Sequence, residues 1–127
     1  MNEPPALSKR ESQIMDIVYA RGQATATDVL EAMPDGLSRT AVRTFLRILE
    51  GKGHLTHRTQ GREYVFVPTH PRRQVGQSAL RRVLEVFFGG SLEQAVAAYL
   101  SERNGIVRER ELDEIAALIR RARKEGR

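Results

Sequence analysis

The chain has 127 residues, 40% of them hydrophobic and 29% charged, which fits one compact domain or two small ones and excludes a large multidomain enzyme or a wholly disordered chain. Its 21 Lys and Arg against 16 Asp and Glu give a net charge of +5, a balance that favours polyanionic partners such as nucleic acid. Zero Cys excludes disulfide scaffolds, Cys-based zinc sites, iron–sulfur clusters and thiol catalysis, and it suits a reducing compartment.

The first seven residues, with Glu3, Pro4 and Pro5, contain no apolar run that serves as a signal peptide. No window approaches the ~18 consecutive apolar residues of a membrane span. A cytoplasmic protein with no membrane insertion is expected.

Ser8-Lys-Arg-Glu11 has the form of a capping box, and Ile14, Ile17 and Val18 follow at helical spacing until Gly22. The pattern predicts a helix over residues 9–21. Thr25-Ala-Thr-Asp28 repeats the signal and opens a short helix with Val29, Leu30 and Met33 on its apolar side. Pro34-Asp-Gly-Leu37 is a turn by composition, and Ser38 then caps a third helix running to about Lys52, ended by Gly51 and Gly53. Two helices joined by a tight turn match helix-turn-helix size.

At 100° per residue, Ala41, Val42, Phe45, Leu46, Ile48 and Leu49 gather on one broad face of this third helix. Arg39, Thr40, Arg43, Thr44 and Arg47 occupy the opposite arc. A solvated helix face usually intersperses acids among its bases, and this one does not. Arg and Thr side chains suit guanine edges, phosphates and thymine methyls. Residues 38–62 hold six basic residues against Glu50 alone, the densest one-signed stretch outside the C-terminal tail. Ser38, Arg39, Thr40, Arg43, Thr44 and Arg47 are therefore candidate DNA-binding residues.

After Gly53 the period changes from helical to alternating: Leu55 and His57, then Tyr64 and Phe66, with Thr59-Gln-Gly61-Arg62 as the turn and Pro68 at the end. This predicts a β-hairpin whose tip carries Arg58 and Arg62, both candidates for the phosphate backbone. A plain hairpin with solvated charges is the alternative.

Pro71-Arg-Arg73 marks a boundary, dividing the chain into a winged helix-turn-helix domain over residues 1–70 and a helical domain over residues 71–127. Val75, Ala79, Leu80, Val83, Leu84 and Phe87 form one stripe of a helix that ends at Gly89-Gly90. Ser91-Leu-Glu-Gln94 is another capping box, opening a helix with Leu92, Ala95, Val96, Tyr99 and Leu100 that Asn104-Gly105 breaks. The last helix presents Leu112, Ile115, Ala116 and Ile119 on one side, and the basic tail over residues 120–127 is expected to fray. Three amphipathic helices with no sheet to cover need a partner, and a two-fold homodimer supplies one. The candidate dimerisation residues are Leu80, Leu84, Phe87, Phe88, Leu92, Val96, Tyr99, Leu100, Leu112, Ile115 and Ile119. A monomeric bundle packed back on the hairpin domain is the rival.

No Gly-rich phosphate loop, H-E-x-x-H or nucleophile motif is present, so neither catalysis nor a cofactor is expected. His54 and His57 form H-x-x-H, yet residues three apart on a strand point to opposite faces, which argues against a metal site. His70 sits in a Thr-His-Pro linker with no evident partner. Glu109, Glu111, Asp113 and Glu114 open the last helix, where its dipole accounts for them. The fold expected is mainly α with a small β-hairpin wing.

These residues carry a further order. Leu7-Ser8 with Glu11 and Ile14-Met-Asp-Ile-Val18, Ala41-Val-Arg-Thr44 followed by Leu46, Leu49, Lys52 and Gly53, Gly61-Arg-Glu-Tyr64 with Pro68, and Phe87-Phe-Gly-Gly-Ser91 resemble the penicillinase-repressor (BlaI/MecI) family. The resemblance spans nearly the whole chain. It implies a homodimeric repressor that places the third helix in the major groove of a palindromic double-stranded operator, with Arg43 and Thr44 matching the family's Arg-Thr pair. It also implies release when a membrane-embedded sensor metalloprotease, triggered by β-lactam, leads to cleavage in the dimerisation domain. The matching bond is Ala98–Tyr99, where characterised relatives have Asn followed by Phe. Copper-responsive relatives carry C-terminal Cys pairs, which this chain lacks. A protein-interaction module and a ligand-responsive regulator remain the alternatives from other classes.

Overall fold

In the computed structural model, which describes residues 6–102 and 107–126, the chain divides into two compact units, Met1–Ser78 and Ala79–Arg127. The first unit holds α1 (Lys9–Arg21), β1 (Ala24–Thr25), α2 (Ala26–Ala32), α3 (Arg39–Gly51), β2 (Leu55–Gln60) and β3 (Glu63–Pro68). Next come α4 (Arg72–Phe87), which starts in the first unit and continues into the second, then α5 (Leu92–Ser101) and α6 (Glu109–Lys124).

The first two expected capping boxes form in full. The Ser8 hydroxyl accepts from the Glu11 amide at 3.1 Å while the Glu11 carboxylate accepts from the Ser8 amide at 2.9 Å. Thr25 and Asp28 reproduce this reciprocal pair at the start of α2. Gly22, at φ 87, ends α1 in a conformation that a residue with a Cβ rarely adopts. Ile14 and Val18 from α1, Val29 from α2, Val42, Leu46 and Leu49 from α3, and Leu55 and Phe66 from the hairpin are buried together in one aliphatic core. Ile48, expected on the apolar face of α3, is 39% exposed. It lies at the margin of the arc, where the core no longer covers it.

The wing is a three-stranded antiparallel sheet in the order β1-β3-β2, not a bare hairpin. Ala24 pairs with Phe66 and Thr25 with Val65, so the residue that caps α2 also extends the sheet. The connection between β2 and β3 is shorter than the four-residue turn expected. Thr59 and Gln60 pair with Tyr64 and Glu63, which leaves Gly61 and Arg62 as a two-residue loop with Gly61 at φ 64. A positive φ at the first loop position suits the twist of the flanking strands, which is why glycine stands there.

In the second unit no residue of α5 or α6 is buried, nor is any in α4. Ser91 caps α5 by accepting from the Gln94 amide at 3.1 Å, which is one half of the expected box. The α6 helix runs through Lys124, so most of the basic tail is helical rather than frayed. Arg121, Arg123 and Lys124 sit in its last turn and Glu109 and Glu111 in its first, the arrangement that complements a helix dipole. The Asn104-Gly105 break lies outside the described residues. Among the described residues no single helix is long and apolar enough to cross a membrane; the pair α4 and α5 approaches that length only together, and it is bent by 91° at its break.

Candidate nucleic-acid interface

The polar arc of α3 comes out of its packing. With Val42, Leu46 and Leu49 turned into the core, Arg39, Thr40, Arg43, Thr44 and Arg47 are all exposed. Arg39, Arg43 and Arg47 stand four residues apart, a stripe about 12 Å long at 1.5 Å per residue. Ser38 does not join the stripe: its hydroxyl is committed to the cap and accepts from the Ala41 amide at 3.0 Å. The Thr44 hydroxyl donates back to the Thr40 carbonyl at 3.0 Å, as threonine in a helix commonly does. Arg39 donates through Nη1 to the Thr27 hydroxyl at 3.0 Å, which ties the first turn of α3 to α2.

The stripe borders a groove of about 530 Å³. Arg39, Arg43, Arg47 and Glu50 line one wall, Thr25, Ala26 and Thr27 the end, and His57, Arg62, Glu63, Tyr64 and Phe66 the wing side. Four arginines thus converge from two elements onto one open concavity. Arg43, Arg47 and Arg62 make no ion pair or hydrogen bond among the described residues, so their guanidinium donors are available. Arg58 stands elsewhere. It lies within β2 opposite Val65, on the other face of the sheet from His57, and donates through Nη2 to the Gln23 amide oxygen at 3.0 Å. The two-residue loop moves the tip away from it, which corrects the expectation that Arg58 and Arg62 share the tip.

Glu50, His57, Tyr64 and Phe66 also line the groove and were not singled out as site residues from sequence. His57 donates through Nδ1 to both Glu50 carboxylate oxygens, at 2.7 and 2.8 Å, and its ring stacks on Tyr64 with centroids 4.2 Å apart and planes at 24°. Strand alternation already puts His57, Tyr64 and Phe66 on one face; the missing signal was Glu50, which reaches them from the end of the helix. His54, by contrast, is buried just before β2 and meets His70 edge-on at 6.1 Å. The two histidines of the H-x-x-H pattern do not converge, and His70 has a neighbour that the sequence did not reveal. Among the described residues no group of three or more metal-ligating side chains is present.

Two carboxylates brace this platform. Glu11, 5% exposed, accepts from Lys52 Nζ at 2.8 Å, joining the start of α1 to the end of α3. That hydrogen bond, with the Ser8 amide next, holds its carboxyl below the usual glutamate value. The Thr25 amide, aided by its hydroxyl and by the Arg21 charge, does the same for Asp28 against a smaller opposing effect of burial.

The candidate dimerisation residues are largely uncovered. Leu80, Phe87, Leu92, Val96, Tyr99, Leu100, Leu112, Ile115 and Ile119 are exposed, Phe87 by 73%, while Leu84 and Phe88 are half-buried. Ala98 and Tyr99 lie in the last turn of α5.

Comparison with known proteins points one way. The family model described as penicillinase repressor matches residues 7–121. The penicillinase repressor of Bacillus licheniformis is 24% identical over 102 residues, covering 79% of this chain and 80% of that protein. The solution structure of the DNA-binding domain of the repressor BlaI aligns with a TM-score of 0.50 at 25% identity, over 56% of this chain and 89% of that one. The B. licheniformis BlaI monomeric form, solved in complex with the blaP half-operator, gives the same TM-score, identity and coverage.

Proposed function

The chain belongs to the penicillinase-repressor family, and from that premise we propose that it acts as a homodimer on a palindromic operator, one α3 in the major groove of each half-site. At the coarser level it is a DNA-binding repressor with a winged-helix N-terminal domain, and its family is not one of enzymes. The observation that carries the finer reading is the convergence of Arg39, Arg43 and Arg47 with Arg62 on one groove, with Arg43, Arg47 and Arg62 unpaired among the described residues. A major groove about 12 Å wide admits such a helix, and guanidinium forks suit both guanine edges and phosphates. That a relative's monomeric form has been solved with a half-operator supports an operator built of two half-sites.

The dimer is supported by surface chemistry. Of the fourteen large hydrophobic residues exposed among the described residues, twelve lie from Leu80 onward. Faces of that kind ordinarily mark an association surface. Release by cleavage at Ala98–Tyr99, initiated through a membrane-embedded sensor metalloprotease, completes the proposal. The bond is helical, with the Ala98 carbonyl accepting from the Ser101 hydroxyl at 3.0 Å and the Tyr99 carbonyl from the Glu102 amide at 3.2 Å. A protease takes its substrate extended, so the last turn of α5 must unwind first.

Selection of duplexes from a random pool by the full chain tests the central claim. Enrichment of two inverted half-sites about one helical turn apart is expected. Enrichment of none, or of a single asymmetric site, would sink the palindromic reading. Mass spectrometry of the chain recovered from induced cells should find a fragment ending at Ala98; an intact chain alongside full derepression would exclude cleavage.

A further inference from the structure

We infer that the Tyr64 hydroxyl is a neutral hydrogen-bond donor to one DNA phosphate, held in position by His57, which Glu50 anchors; this rests on the DNA-binding reading above. Tyr64 is 54% exposed, yet its ring is not loose. His57 stacks on one face at 4.2 Å, and Phe66 meets it edge-on at 6.4 Å. His57 is fixed in turn by its two hydrogen bonds to Glu50, so the chain of contacts runs from the recognition helix to the wing. The strand register supports the same array, since His57 pairs with Phe66 and Thr59 with Tyr64 on one face of the sheet.

For an aromatic ring that serves only to pack against its cross-strand neighbours, the hydroxyl would be dispensable. Here the phenol hydroxyl has no hydrogen-bond partner among the described residues, and Tyr64 lines the groove together with Arg39, Arg43, Arg47 and Arg62. The field of those arginines draws a phosphate into the concavity. A pinned O–H donor meets it without losing the side-chain freedom that a lysine or arginine gives up. Being uncharged, the donor displaces no counterion, so it adds affinity without adding salt dependence.

The experiment uses the full chain and a duplex selected by it from a random pool. Tyr64→Phe removes one exposed oxygen and leaves the ring stack. It should weaken binding about 10-fold, the scale of a hydrogen bond to a charged group. Base preference and the slope of log affinity against log salt should be unchanged, whereas Arg62→Ala should reduce that slope by about 1 per half-site. Methylphosphonate substitutions placed symmetrically in the two half-sites should find one phosphate per half-site at which the Tyr64→Phe penalty disappears. His57→Phe keeps a stacking ring but drops the anchor, and its cost should shrink in the Tyr64→Phe background. Equal affinity of the Tyr64→Phe protein, or a penalty that no methylphosphonate relieves, would overturn the inference. Failure to select any duplex would remove the DNA-binding reading itself, and this inference with it.

Discussion

Arg43 and Arg62 line the same groove without partners among the described residues, yet they should contribute in different ways. Arg43 stands mid-helix, where a guanidinium reaches base edges, so Arg43→Ala should cost about 1–3 kcal/mol on the selected operator and relax preference at one position. Arg62 stands at the wing tip, in the two-residue loop between β2 and β3, and is expected to meet the phosphate backbone. Its removal should weaken all duplexes alike and flatten the salt dependence. Titrations at several salt concentrations on selected and scrambled duplexes separate the two, and identical behaviour of both variants would contradict this division. The arginines of α3 were legible in the sequence because a helical angle depends on spacing alone. Arg58 was not, because a hairpin tip is set by the length of the loop, and Gly61 shortens that loop to two residues. Glu50 escaped notice since it meets His57 only after the chain has turned at Gly53.

Among the elements, α1 and α3 are locked by one buried carboxylate. Glu11 accepts from the Ser8 amide and from Lys52, 41 residues away. Its folded value lies below the ordinary 4.5. The stabilisation is therefore complete above that ordinary value and is lost as pH falls through the depressed one; Asp28 acts in the same sense. Glu11→Gln should cost about 1–3 kcal/mol at neutral pH, and the variant should lose less stability than the parent on acidification. Denaturant unfolding at pH 7 and pH 3 checks both parts, and parallel acid losses in the two proteins would count against the assignment. The capping boxes were readable because each spans four residues. The Glu11–Lys52 bond and strand β1 were not: the first joins distant segments, and the second is two residues that become a strand only when β3 lies beside them.

For the molecule as a whole, the contrast is between a unit with a dry aliphatic core and helices α4 to α6 with no buried side chain. The amphipathic stripes of those helices were plain in the sequence, while what covers them cannot be read from one chain. If a second copy covers them, a charge in their midst breaks the pair: Ile115→Asp, at a residue 38% exposed in the single chain, should convert dimer to monomer in sedimentation velocity and weaken operator binding, leaving α1 to α3 folded. A dimer undiminished by that change would place the interface elsewhere. The bare helices have one more consequence. If the proposed dimer forms through them, its assembly follows second-order mass action, each copy supplying the other's interior. Operator occupancy by such a dimer would rise with roughly the square of chain abundance while monomers predominate, so a modest fall in synthesis would empty the site faster than it would for a one-to-one binder.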